Sequence, residues 1–172
     1  MNKCFTINPF RTTEEIESYH ILLKNNIYQA VEIFYPYQLD ELGFNTYTEN
    51  IRKLTVYKPE MVMHLPFGKN NDLCNLTEYK AVLERLKDAI VYSRQFNIDK
   101  FTLHLGYVNN ENRELIIGHI INALKDLCSF AYPHNIMIEN MPGIGEIGYS
   151  PDEILGIIKA VGKPNLKFIL DT

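Results

Sequence analysis

Five acidic or imidazole side chains stand near the C-terminal ends of apolar segments, at intervals of 32, 40, 35 and 32 residues: Glu32, His64, His104, Glu139 and Asp171. Imidazole and carboxylate groups together are typical ligands of zinc, manganese or iron. A carboxylate at the end of an apolar strand is costly when it is partly buried without a counter-charge. The loops after these segments carry more acids than bases, so the pattern predicts a divalent cation.

Each of these residues alone also has a structural interpretation. A single histidine such as His64 is commonly a hydrogen-bonded packing residue, and Glu32 could bond to a loop. Equivalent positions on successive strands are harder to explain one by one, and they favour a joint site. The remaining histidines, His20, His119 and His134, lie on predicted helices or a helix–strand turn and are predicted to pack or to face solvent.

The elements that would position these side chains alternate regularly. Six apolar segments predict strands: CFTINPF, AVEIFY, MVMHLPF, KFTLHLG, IMIEN and LKFIL. Five segments with apolar residues at helical spacing lie between them. This alternation predicts βαβ units and a parallel sheet, in an α/β chain with a single domain over residues 1–172. No glycine-rich GxGxxG follows a strand, which argues against a dinucleotide-binding sheet.

Local signals predict where helices begin and end. The pairs Thr12/Glu15 and Thr46/Glu49 have the spacing of capping boxes, which satisfy free backbone N–H groups at a helix start. The segment Ser150–Glu153 offers an N-cap serine, a proline at the first helical position and a capping glutamate. Gly162 is expected to end that helix.

Composition excludes several classes of protein. The formal net charge of −4, from 17 basic and 21 acidic residues, gives no general attraction to nucleic acid or anionic membranes. No apolar run reaches the roughly 18 residues of a membrane span. The three cysteines are far apart and form no CxxC, so we expect free thiols and a cytoplasmic location.

The motifs MHLPFG, LHLG, IENMPG and LDT, in this order and spacing, resemble the xylose isomerase-like TIM barrels, a superfamily of sugar isomerases, epimerases and endonuclease IV enzymes. The resemblance covers nearly the whole chain. It implies a (β/α) TIM-barrel fold with a divalent metal, zinc or manganese, at the C-terminal ends of the strands.

The resemblance also assigns roles to individual residues. It implies a metal set of His64, His104, Glu139 and Asp171, with Glu139 also taking part in catalysis. In the isomerase branch the two histidines line the substrate pocket instead, together with Glu32 and with Asn140 of the ENMPG segment.

In the family the DT motif continues to a histidine and two further βα units, so the resemblance implies an incomplete barrel with about six of eight strands. The first and sixth strands of such a chain are open edges. We therefore expect a homo-oligomer that covers them.

Three functions remain open at this point. The first is a metal-dependent isomerase or epimerase of a small sugar or sugar phosphate, which moves a proton next to a carbonyl. The second is an endonuclease IV-like phosphodiesterase acting at abasic sites in DNA, which the scarcity of basic residues in the relevant loops makes less favourable. The third is a barrel fragment without catalytic activity.

Overall fold

The structure is a computed structural model that describes residues 3–108 and 112–171. Within these ranges six strands and five α-helices alternate along the chain, as the sequence predicts. The chain packs as two compact units, Met1–His64 with Ser93–Ile98, and Leu65–Tyr92 with Asp99–Thr172. The expectation of one domain over the whole chain stays a prediction.

The first unit contains three parallel strands that pair in chain order, β1 (Cys4–Ile7), β2 (Ala30–Phe34) and β3 (Glu60–His64). They alternate with α1 (Thr13–Lys24) and α2 (Glu41–Leu54), which contact each other. Ile7 lies opposite Ile33, and Phe34 lies opposite His64. Ile7, Ile33 and Ile51 are fully buried, so the apolar runs of these strands form a core.

The second unit also has three parallel strands in chain order, β4 (Lys100–Leu103), β5 (Asn135–Glu139) and β6 (Leu166–Ile169). Its helices are α3 (Tyr79–Ser93), whose last residue belongs to the first unit, α4 (Arg113–Ala131) and α5 (Pro151–Val161). The helices α4 and α5 pack against each other. Phe101, Ile136 and Leu124 are fully buried, as expected for strands covered by helices.

Two of the predicted helix starts are confirmed. Thr12 accepts a hydrogen bond from the Glu15 backbone, and the Glu15 side chain accepts one from the Thr12 backbone, which completes the capping box of α1. Ser150 caps α5, and Pro151 is its first residue. Gly162 ends α5 in the left-handed conformation, with φ 64°.

The second predicted capping box is wrong. The helix α2 begins at Glu41, five residues before Thr46, because the Asp40 side chain caps it by accepting a hydrogen bond from the Gly43 N–H. Thr46 therefore lies inside the helix, and its hydroxyl donates to the Leu42 carbonyl. An earlier cap takes precedence because a helix propagates readily once its first turn is formed.

Two further expectations concern the cysteines and membrane-spanning segments. Cys4, Cys74 and Cys128 are free thiols, the last two of them buried. In the described ranges, no helix combines the length and apolar character needed to cross a bilayer.

Candidate functional site

The centre of the candidate site is a contact between His104 and Glu139. His104 directly follows β4, and Glu139 is the last residue of the neighbouring strand β5. Because Leu103 pairs with Ile138, the next residue of each strand comes to the same edge of the sheet. His104 Nε2 lies 2.9 Å from Glu139 Oε2, and the two side chains are 21% and 16% exposed. Most of each polar group is thus removed from water.

The donor set of this contact fits a divalent metal. The pair belongs to a group of histidine and glutamate side chains that could hold a metal ion. Metal–nitrogen and metal–oxygen bonds of about 2.0–2.2 Å place neighbouring ligand atoms roughly 3 Å apart, which agrees with the observed separation. An imidazole and a carboxylate suit zinc or manganese better than calcium, which prefers oxygen ligands alone.

His64 and Glu32 belong to the first unit. His64 ends β3, is 7% exposed, and its ring stacks on Phe34 with the centroids 4.9 Å apart. Glu32 is the third residue of β2 rather than a strand-end residue, because the apolar run continues to Phe34. The Thr6 hydroxyl donates to the Glu32 carboxylate across the strand pair, at 3.1 Å.

Asn140 and Asp171 are brought together in the second unit. The Asn140 amide donates to the Asp171 carbonyl at 2.9 Å, and its oxygen accepts from the Asp171 N–H at 2.7 Å. Both hydrogen bonds are made by backbone atoms of Asp171 and not by its carboxylate. It ties the residue after β5 to the segment after β6, and the roles predicted for both side chains stay predictions.

A cavity of about 520 Å³ lies in the second unit beside His104. This volume is within the range of about 300–1,000 Å³ that is usual for sites that bind small molecules. Its lining combines aromatic and apolar side chains with charged and amide groups: Phe67, Gly68, Lys69, Asn71, Asp72, His104, Gly106, Tyr107, Met141 and Glu146. Such a mixture suits a small polar molecule with an apolar face.

One wall of the cavity is fixed by Asp72. Its carboxylate accepts the Cys74 N–H at 2.8 Å and the Tyr107 N–H at 3.1 Å, which joins the loop after β3 to the loop after β4. Gly106 has a φ of 114°, and a Cβ at this position would overlap the Asp72 carboxylate. Glycine is required here both by the backbone conformation and by this close approach.

The segment after β5 also contributes to the cavity, through Met141 and Glu146, and an ion pair holds this segment in place. Arg113, the first residue of α4, contacts Glu153 of α5 with Nε–Oε2 2.8 Å and Nη2–Oε1 2.9 Å. Arg113 also donates to the Glu146 carbonyl, and Glu153 accepts from the Gly148 N–H. The hydrogen bonds with Glu153 raise the pKa of Arg113, so its guanidinium stays charged. We call this ion pair of Arg113 and Glu153 the clamp. It fixes the backbone that carries Glu146 into the cavity.

Sequence reasoning identified His104 and Glu139 but assigned no role to most of the lining. Four charged or aromatic lining residues lie outside the α-helices and strands, where no periodic pattern marks which side chains share a surface: Lys69, in the short 3-10 turn Lys69–Asn71, and Asp72, Tyr107 and Glu146. A usable signal was the short polar run GKNND, which directly follows the third strand motif and would contribute to any site at the strand ends.

Comparison with known proteins agrees with this architecture. A family model for xylose isomerase-like TIM barrels matches residues 23–172. A probable endonuclease 4 of Carboxydothermus hydrogenoformans is 28% identical over 113 residues, which is 65% of this chain and 40% of that protein. The matched segment thus spans less than half the length of this relative.

Solved structures show the same fold at low sequence identity. A D-tagatose 3-epimerase-like protein superposes with a TM-score of 0.78 and 22% identity, over 98% of this chain and 64% of that one. A family 2 AP endonuclease from Brucella melitensis gives a TM-score of 0.76 and 17% identity, over 99% and 69%. At such identities the likeness shows a partial TIM-barrel fold. Since the family model matches most of the residues, the chain belongs to the xylose isomerase-like TIM-barrel family.

Proposed function

We propose that this chain carries the metal- and substrate-binding face of a divalent-metal-dependent isomerase or epimerase that acts on a small sugar or sugar phosphate. The observation that carries the proposal is the contact of 2.9 Å between His104 Nε2 and Glu139 Oε2 at the ends of neighbouring strands. It is supported by the adjoining cavity, whose size suits one small ligand. The epimerase-like structural neighbour is consistent with this reaction class.

The proposed ligands are His64, His104, Glu139 and Asp171, and the proposed metal is zinc or manganese. The cation supplies polarisation of the substrate carbonyl when it is bound. Glu139 takes a proton from the carbon next to that carbonyl. Return of the proton to the neighbouring carbon on the same face would complete an isomerisation, whereas an epimerisation would need a second acid on the opposite face to supply the proton. His104, in contact with Glu139, orients its carboxylate for this transfer.

The substrate would be held by hydroxyl contacts and by an apolar wall. Glu32, His64, His104 and Asn140 are the proposed hydroxyl-binding residues. Phe67 and Tyr107 line the cavity with partly exposed rings, which can cover the C–H face of a sugar. The free thiols support a reducing location, so we propose the cytoplasm.

The first experiment measures metal binding. Purified protein, freed of metal with a chelator, is titrated with zinc and with manganese by calorimetry. We expect one ion per chain, lost in His104→Ala. His20→Ala is the control, because His20 lies on α1 and packs edge-to-face on Tyr57. A chain that binds neither ion at saturation contradicts the proposal and supports the fragment without catalytic activity.

The second experiment measures the reaction. Ketoses and their phosphates are incubated with metal-loaded protein in D₂O, and deuterium at the carbon next to the carbonyl is followed by NMR. Exchange that disappears in Glu139→Gln is the expected result. Metal binding without exchange on any of these sugars would contradict the isomerase assignment.

The endonuclease-like relative favours one second candidate, hydrolysis of DNA at abasic sites. Against it, the net charge is −4 and the cavity lining includes Asp72 and Glu146 with a single lysine among the described residues. Incision of a duplex oligonucleotide with one abasic site tests it directly. The isomerase proposal expects none, and zinc-dependent incision lost in His104→Ala would favour the endonuclease.

A further inference from the structure

The cavity beside His104 contains an unbalanced cation. Lys69 is the one lysine or arginine among its described lining residues. Nowhere in residues 3–108 or 112–171 does Lys69 have an ion-pair partner. A cation left free at a cavity wall is available to an anionic group of a ligand.

The two acidic residues that line the cavity, Asp72 and Glu146, already accept hydrogen bonds from backbone N–H groups. Both oxygens of Asp72 accept backbone N–H groups, from Cys74 and Tyr107. One oxygen of Glu146 accepts the Gly143 N–H at 2.9 Å. These bonds hold the carboxylates against the backbone, and the N–H dipoles offset part of their negative charge. Lys69 is therefore not neutralised by the acids that share its cavity.

The turn that carries Lys69 is rigidly supported. Gly68 has φ 87° and ψ −176°, a combination that is accessible mainly to glycine. Asn71, which is 3% exposed, donates through its amide to the Phe67 carbonyl and accepts from Arg85 Nε at 2.9 Å. The turn is thus fixed on both sides of Lys69, so its backbone is positioned before any ligand arrives.

From this arrangement we propose that Lys69 binds a phosphate or carboxylate group of the substrate, so that the site acts on an acidic sugar rather than a neutral one. The inference rests on the proposed function and adds the substrate class. A hydrogen bond between two charged groups is stronger than one between lysine and a hydroxyl, which gives the site a means of discrimination. Phe67, two residues before Lys69, lines the same cavity and offers an apolar surface for the rest of the molecule.

The test compares three ligands that differ at one carbon: D-fructose, D-fructose 6-phosphate and D-fructuronate. Their affinities for the metal-loaded chain are measured by calorimetry. We expect at least one acidic ligand to bind more tightly than D-fructose. Lys69→Met should weaken that ligand by about 10–100-fold, the effect of one charge-assisted hydrogen bond, and leave D-fructose within about twofold. Lys69→Arg should restore most of the affinity.

A matched control is Lys80→Met, since Lys80 is an exposed lysine of α3 outside the cavity lining. Tighter binding of phosphate than carboxylate, or the reverse, identifies the group. Equal loss for neutral and acidic ligands in Lys69→Met overturns the proposal, as does an equal effect of Lys80→Met or the absence of binding by both acidic ligands. A duplex oligonucleotide that binds more tightly than all three and depends on Lys69 would also overturn it.

Failure of this proposal is distinguishable from failure of the proposed function. Lys69-dependent binding of an acidic sugar without deuterium exchange supports the Lys69 assignment and contradicts the isomerase reaction. Exchange on D-fructose 6-phosphate or D-fructuronate that is unaffected by Lys69→Met supports the reaction and contradicts the assignment.

Discussion

At the scale of single residues, His104 contacts Glu139. Burying either polar side chain without a hydrogen-bonding or charged partner would cost free energy. Both side chains are mostly covered, so each needs a partner to replace lost water. A proton shared between them satisfies this need, and so does a cation bound to both. The second arrangement requires the negative charge of Glu139, which distinguishes it from a simple hydrogen bond.

The first prediction uses this difference. Glu139→Gln keeps the shape and an oxygen that can accept a hydrogen bond, but it removes the charge. We expect zinc affinity to fall by at least about tenfold, since even residues that only support metal ligands contribute this much. Calorimetric titration measures it, and Glu14→Gln on α1 is the control. Unchanged zinc affinity in Glu139→Gln would show that this carboxylate is not a ligand.

The second prediction concerns His119 on α4. Among the described residues its Nε2 is buried without a hydrogen-bond partner, and its ring meets Tyr79 edge to face at 4.1 Å. Burial lowers the pKa of His119, because the charged imidazole loses its water. Below about pH 6.5 the unfolded chain binds this proton more readily than the folded chain, so stability falls as the pH decreases.

Urea unfolding at pH 7.5 and pH 5.5 measures this effect. His119→Gln, which does not titrate, should lose less stability between the two pH values than the unmodified chain. Asn122→Gln, on the same helix, should keep the original pH dependence. If His119→Gln and Asn122→Gln respond to pH in the same way, the imidazole does not contribute.

At the scale of elements, backbone hydrogen bonds join the loop after β4 to the loop after β5. Tyr107 and Glu146 form an isolated antiparallel bridge, and the Val108 N–H donates to the Gly145 carbonyl at 2.8 Å. Arg113 and Glu153 hold this pair of loops to the first turns of α4 and α5. The helices therefore position the cavity wall as well as covering the strands.

The third prediction is that Arg113 and Glu153 are energetically coupled. Their side chains are 35% and 14% exposed, and two hydrogen bonds join them. A double-mutant cycle with Arg113→Ala and Glu153→Ala should give a coupling free energy of about 1–3 kcal/mol in urea unfolding. The cycle for the exposed pair of Arg11, which precedes α1, and Glu15 in its first turn should give a smaller value. Equal coupling free energies in the two cycles would mean that partial burial does not strengthen the interaction of Arg113 with Glu153.

These elements also show what the sequence could and could not predict. Strands and helices follow from the periods of apolar residues, and α1 and α5 begin where their caps were predicted. The start of α2 was missed because Asp40 and Thr46 are both acceptable caps, and the choice between them depends on the whole first turn. The pair His104 and Glu139 was accessible because neighbouring parallel strands end at one edge.

The rest of the site depends on contacts that no local pattern encodes. Glu32 lies in the middle of β2. The end of a strand is set by its pairing with neighbouring strands, and not by the first polar residue of the strand. The Arg113–Glu153 clamp joins residues that are far apart in sequence, through two helix starts. Motif reasoning assigned Glu153 only to a cap, whereas its carboxylate bonds to Arg113 and the Gly148 N–H.

At the scale of the whole molecule, the last prediction concerns self-association. Phe168 and Leu170 share one face of the β6 segment and are 44% and 65% exposed. Within the described part of the chain, β6 pairs with β5 alone. An apolar face on a strand with an open edge favours pairing with a second chain, so we expect a homo-oligomer. Sedimentation across a range of concentrations should give a mass above the 20.0 kDa of one chain.

A lysine on this face should reverse the association, because burying its charge in the interface is costly and because charged side chains block pairing at a strand edge. Phe168→Lys with Leu170→Lys is therefore expected to shift the mass toward the monomer while the far-ultraviolet circular dichroism stays unchanged. Ile21→Lys is the control, since Ile21 is a similarly exposed apolar residue of α1. A mass of one chain at every concentration, or an oligomer that Ile21→Lys disrupts as strongly as the β6 variant does, would contradict an interface at β6.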